Sequence, residues 1–141
     1  MVTNEDRAMR LLGLKWAGAP KTDLKAAACD LIAQQRADGG WAQLDTLETD
    51  AYATGQALTA LAESGELSIS GPIYRRGVSY RLRTQIADGS WLVRTRSFAL
   101  QRLKDSGFPH GRDQWISASG TSWAAMALSF ALPKNALPKG Q

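Results

Sequence analysis

The apolar and polar positions of this 141-residue chain fall into five blocks with helical spacing, and no stretch alternates as a half-buried strand does. Thr3-Asn4-Glu5-Asp6 opens as a capping box, with a carboxylate three residues after a hydroxyl. Met9, Leu12 and Trp16 follow at spacings of three and four, and Ala17-Gly18-Ala19-Pro20 stops the first helix. A second starts at Thr22 or Asp23, with Leu24, Ala28, Leu31 and Gln35 on one stripe and alanines opposite. Thr49 is the expected cap of a third, which sets Thr54, Ala57, Leu58 and Leu61 to one side and ends at Ser64-Gly65. Ser70 and Pro72 begin a fourth, with Ile73, Gly77, Tyr80 and Thr84 in line. Ser119 or Thr121 is the expected cap of the last, whose face is Trp123, Met126, Ala127 and Phe130 and whose end is Pro133. The pattern predicts an all-α chain of one domain over residues 1–141, with 133–141 as a loose tail.

Two of these blocks run into the same phrase. Gln35, Asp38, Gly39 and Trp41 recur fifty residues later as Gln85, Asp88, Gly89 and Trp91, and a basic residue heads each copy, Lys25 and Arg76. Self-similarity of this kind marks stacked helical units rather than one unique core. The chemistry of the unit is local. Gln at a helix end can donate and accept; Gly after Asp takes a positive φ without a Cβ penalty; Trp beyond it needs a partner for its indole N–H once buried. The expected closure is a Trp folded back on its Gln. After the second turn the copies diverge. Residues 94–118 form an insertion with turn chemistry at Ser106-Gly107 and Pro109-His110-Gly111 and with aromatics at Phe98, Phe108 and Trp115. Long loops that carry aromatics are more often functional or interface-forming than idle.

The repeated phrase resembles the QW motif of the squalene-hopene and oxidosqualene cyclases: Lys or Arg, Gly or Ala, an aromatic, Leu, Gln, then Gly-x-Trp. The first copy supplies Lys25, Ala26, Leu31, Gln35, Gly39 and Trp41, with Asp30 where the aromatic is expected. The second supplies Arg76, Gly77, Tyr80, Gln85, Gly89 and Trp91, with Arg81 in place of Leu. Ser106-Gly107-Phe108-Pro109 after the second copy is similar to the C-terminal end of the hopene cyclases, and the whole resemblance covers residues 5 to 132. It is shared with proteins described as prenyltransferase and squalene oxidase repeats. It implies an α/α-toroid in which the motif residues tie repeats together and do no chemistry. A ring of twelve helices takes on the order of 300 residues. The resemblance therefore implies an incomplete barrel, either the C-terminal part of a longer protein or an arc covered by a second copy in a homodimer. An apolar, isoprenoid-like ligand is implied as well, and no cofactor.

Charge adds little to this picture. The net charge of +4 is concentrated in Arg75, Arg76, Arg81, Arg83, Arg94, Arg96 and Arg102, with no nucleic-acid motif beside them. A solvated helix face is the expected role, without a nucleic-acid partner. No apolar run reaches the ~20 residues of a transmembrane helix. Cys29 stands alone, so the chain forms no internal disulfide, and nothing points to a compartment.

Candidate chemistry is sparse. The cyclases protonate an alkene through an Asp-x-Asp-Asp-Thr motif, in which crowded carboxylates and hydrogen bonds tune one proton. The nearest stretch here, Asp45-Thr46-Leu47-Glu48-Thr49-Asp50, has three carboxylates but not that pattern, and capping of the third helix is the expected role of Glu48 and Asp50. The expectation is a cyclase-like domain without the acid, part of a cavity wall and not catalytic alone. The alternative is a non-enzymatic helical-repeat module that binds a ligand or a protein partner. Protein prenyltransferases share the toroid and hold zinc through Asp, Cys and His, but Cys29 and His110 lie in distant segments, so no metal is expected. A single histidine leaves no Ser/His/Asp triad, and DGGW and DGSW lack the Lys of a phosphate loop. Candidate ligand or interface residues are Tyr52, Phe108, His110, Asp113, Trp115 and Trp123, with a local His110–Asp113 pair and with Phe108 and Trp115 covering an exposed face. Core packing is the expected role of Tyr52, Trp115 and Trp123.

Overall fold

The computed structural model describes residues 2–96 and 104–132; Phe98, Arg102 and the expected tail 133–141 lie outside them. The described residues are all-α: α1 (Asn4–Trp16), α2 (Lys21–Ile32), α3 (Ala51–Ser64), α4 (Pro72–Thr84) and α5 (Gln114–Ala131), with a 3-10 turn over Gly111–Asp113 before α5. None of these helices is long and apolar enough to cross a membrane.

The helices sort into two layers. In one, α3 lies between α1 and α5; in the other, α2 packs on α1 and α3, and α4 on α3 and α5. Small residues make α3 the centre of this arrangement, because helices approach closely where side chains are short. A Cβ on Gly55 would stand 2.7 Å from the main chain of Trp123, so α5 crosses α3 at a bare position. Residues 53–61 of α3 are buried throughout. The main core gathers Ala8, Leu11, Leu31, Trp41, Leu58 and Tyr74, and a smaller cluster holds Ala51, Trp91, Val93 and Ala124.

Helix starts follow the sequence in part. The capping box of α1 forms as expected, with Thr3 and Asp6 bonding each other's backbone. The cap of α3 is Asp50 rather than Thr49, its carboxylate accepting from Ala53 N–H at 2.8 Å. Helix α2 begins after Pro20 with no side-chain cap, ahead of Thr22. Helix α5 begins at Gln114, well before Ser119 or Thr121, because the 3-10 turn runs straight into it.

The expected apolar faces of the end helices need correction. In α1 the core takes Ala8, Leu11 and Leu12, while Met9 and Trp16 are exposed. In α5 it takes Ser117, Gly120, Ala124 and Ala127, while Met126 is exposed and Trp123 half-buried. Bulk misled in both helices: the crossing of α5 with α3 takes short side chains and turns Met126 aside, and α1 buries Ala8, Leu11 and Leu12 in place of Met9 and Trp16.

Candidate functional site

The two Gly-x-Trp turns are wired alike inside. Each Trp is buried, and its indole N–H donates to the carbonyl ten residues earlier: Trp41 to Leu31 at 2.8 Å, Trp91 to Arg81 at 2.9 Å. The partner is thus the preceding helix and not the Gln. Each Gln amide instead closes the loop on the next glycine carbonyl, Gln35 to Gly39 at 2.9 Å and Gln85 to Gly89 at 3.0 Å. Each Asp accepts a backbone N–H two residues on, from Gly40 at 3.0 Å and Ser90 at 2.9 Å, in an Asx turn. Gly39 and Gly89 both take positive φ. Each Trp backbone N–H then reaches a threonine on the next helix of the α3 layer, Thr54 at 2.9 Å and Thr121 at 3.1 Å. The sequence reading places Thr54 on the inward stripe of its helix and Thr121 as a candidate cap, but nothing in the sequence links either hydroxyl to the Trp backbone.

These bonds set the register between copies at fifty, so Arg76 corresponds to Ala26 and not to Lys25. Lys25 is exposed on α2. Arg76 acts across the copies, donating to the Arg36 carbonyl of the first turn at 2.8 Å. Arg83 does likewise to the Asp38 carbonyl at 3.0 Å. The arginine cluster is therefore not simply a solvated face. Arg36 adds to this with a guanidinium that holds the Leu44, Asp45 and Leu47 carbonyls of the connection to α3.

Arg81, in the place of Leu31, is the clearest departure. It is fully buried, stacks over the Trp91 ring at 4.5 Å, and donates to the Ala51 and Gly120 carbonyls. Its Nε has no hydrogen-bond partner, and burial lowers its pKa to about 10. A guanidinium held by carbonyls and an aromatic face, with no ion pair among the described residues, is a wedge between α3 and α5.

A cleft of about 410 Å³ opens beside it, lined by Asp50, Glu48, Tyr80, Trp91, Arg94 and Arg96 among others. Asp50 accepts from Ala53 N–H with one oxygen and from Gln43 Nε2 at 2.7 Å with the other. Burial raises its pKa, while those two donors pull it down. The Tyr80 hydroxyl donates to the Thr49 carbonyl at 2.9 Å, and burial pushes its pKa to about 12.

The remaining candidates scatter. Tyr52 is half-buried against the smaller cluster and bonds Glu5 at 3.3 Å; burial first, then Glu5, raises its pKa. His110 and Asp113 do not pair. His110 Nε2 lies 2.7 Å from Ser90 Oγ in the second turn, whereas Asp113 accepts from Arg94 at 3.2 Å and from Thr95 N–H at 2.8 Å. The insertion is thereby anchored through His110 and Asp113. Phe108 meets His110 edge-on at 6.2 Å. Trp115 is 57% exposed and so neither packs in the core nor covers a face, with its N–H on the Lys104 carbonyl. Cys29 is exposed, and no three metal-ligating side chains gather among the described residues. No protein-family model matches the chain, and no curated protein matches it.

Proposed function

We propose that this chain is a squalene-hopene-cyclase-like toroid segment that has no catalytic acid of its own and serves as one wall of a cavity. Kinship is supported by the twice-repeated turn and by the alternation of helices between two layers. The lack of chemistry rests on one observation: both oxygens of Asp50 are occupied by hydrogen-bond donors. An acid that protonates an alkene must aim a proton at substrate; burial raises the pKa of Asp50 overall, but each of its oxygens is already turned to an N–H donor of the protein. Asp50 caps a helix. Incubation of the chain with squalene or oxidosqualene, followed by product analysis, is expected to yield no cyclic product. A protein-dependent cyclic product that disappears in Asp50→Asn overturns this reading.

The second reading, a helical-repeat module that binds a protein partner, is favoured by the exposure of the second turn where the first is covered.

A further inference from the structure

The first turn is seen with a helix docked on it. Ile73 of α4 accepts a second bond from the Gln35 amide at 2.9 Å, while Arg76 and Arg83 donate to the carbonyls of Arg36 and Asp38. A Cβ on Gly39 would stand 2.6 Å from the Arg76 carbonyl, so α4 sits in the notch that the glycine leaves. The second turn holds the same parts in the same register: the Gln85 amide, the Ile86 and Asp88 carbonyls and the notch at Gly89. There, among the described residues, the nearest atom to a Cβ is Gln85 Nε2 at 4.0 Å. Burial follows suit. Gly39 is buried and Gly89 exposed; Gln35 is half-buried and Gln85 exposed; Ile32 packs on the core, whereas its counterpart Leu82 is 59% exposed.

We propose that the second turn is a docking site for a helix of α4's chemistry supplied by a partner polypeptide. The inference rests on the reading of the chain as a repeat module and is independent of the cyclase kinship. The occupant's chemistry follows from what the first turn accepts: a carbonyl in the first helical turn, an arginine three residues later, a small residue next, and a second arginine seven beyond the first on the same face. In α4 these are Ile73, Arg76, Gly77 and Arg83. The Asp88 carboxyl, held below the usual range by its bond from Ser90, adds negative charge to the acceptors. A second copy of this chain fits poorly. Its α4 is engaged with its own first turn, and α2 has Asp23, Ala26 and Ala33 at the matching positions, without either arginine.

The probe is a labelled synthetic peptide of residues 71–85, titrated against the full chain by fluorescence anisotropy. Saturable one-to-one binding below about 1 mM is expected, since a short isolated helix must order as it binds. Leu82→Asp, at an exposed position that leaves the fold intact, and Gly89→Val should each weaken binding at least about tenfold, a loss of ~1.4 kcal/mol. The peptide with Arg76→Ala and Arg83→Ala should weaken likewise. Absence of binding overturns the proposal, and so does binding that both protein variants leave unchanged, since the peptide would then be replacing α4 on the first turn. Self-association of the chain that Leu82→Asp abolishes would also overturn it, in favour of a second copy. None of these outcomes bears on cyclase kinship, which product analysis tests separately.

Discussion

The two turns share their interior bonds and differ wherever a neighbour reaches in. At position 40 of the first copy a Cβ would stand 2.3 Å from Thr49 Cγ2 and 2.8 Å from Thr54 Oγ1, so only glycine fits. The second copy has Ser90 there, with room to bond Asp88 and to meet His110 of the insertion. Arg36 staples the connection after the first turn, whereas Ile86 stands in its place in the second and is 38% exposed. Leu31 fills the core under Trp41; Arg81 wedges under Trp91. The teaching is that the motif encodes a closed local loop, and that the residues between its fixed points adapt to what each copy touches.

The comparison breaks most visibly if the indole anchors are not structural. Trp41→Ala should cost about 3–5 kcal/mol, the range for deleting a buried aromatic, and Trp91→Ala, from the smaller cluster, should fall at its lower end. Chemical denaturation measures both. Near-wild-type stability of Trp41→Ala would remove the structural account of the motif.

A smaller effect sharpens the role of α4, which carries the tyrosines that the first copy lacks. Tyr74 donates to the Ala127 carbonyl at 2.6 Å and Tyr80 to that of Thr49, and burial raises both pKa values to about 12. Unfolded tyrosines ionise near 10. The folded state therefore binds more protons between about 10 and 12, and the stability these hydroxyls contribute is lost as pH rises through that window. Arg81, with its pKa lowered to about 10, acts in the opposite sense; its charge is coupled to Tyr80, so it cancels only in the comparison with Tyr74→Phe. The deficit of Tyr74→Phe relative to wild type should thus shrink from about pH 9 to about pH 12. A deficit that does not change with pH counts against the buried hydroxyls.

Much of the fold was legible because its signals are local. The capping box at Thr3, the stop at Gly65 and the paired Asp-Gly turns each act within a few residues, and the structure places all of them as read. What failed depends on the neighbour. Met9, Trp16 and Met126 have helical spacing and bulk, yet they lie off the crossings that Gly55, Gly120 and the alanines define. Arg81 reads as a surface charge, and only the Trp91 ring and two carbonyls explain its burial. At the candidate site, Asp50 as a cap was readable from its place before α3, whereas the His110–Ser90 contact joins segments twenty residues apart that no pattern links.

The central claim, that the turns share their closing bonds while a helix is docked on the glycine of the first alone, is tested most directly by substituting the same glycine in each. Gly39→Ala and Gly89→Ala both carry the cost of a side chain at positive φ, about 1–2 kcal/mol, which cancels in their difference. What remains is the collision with the Arg76 carbonyl, present in the first turn alone. Urea denaturation of the two variants should find Gly39→Ala less stable than Gly89→Ala by at least about 1 kcal/mol, as overpacking against a main chain requires. Equal losses, or a larger loss at Gly89, would contradict the account.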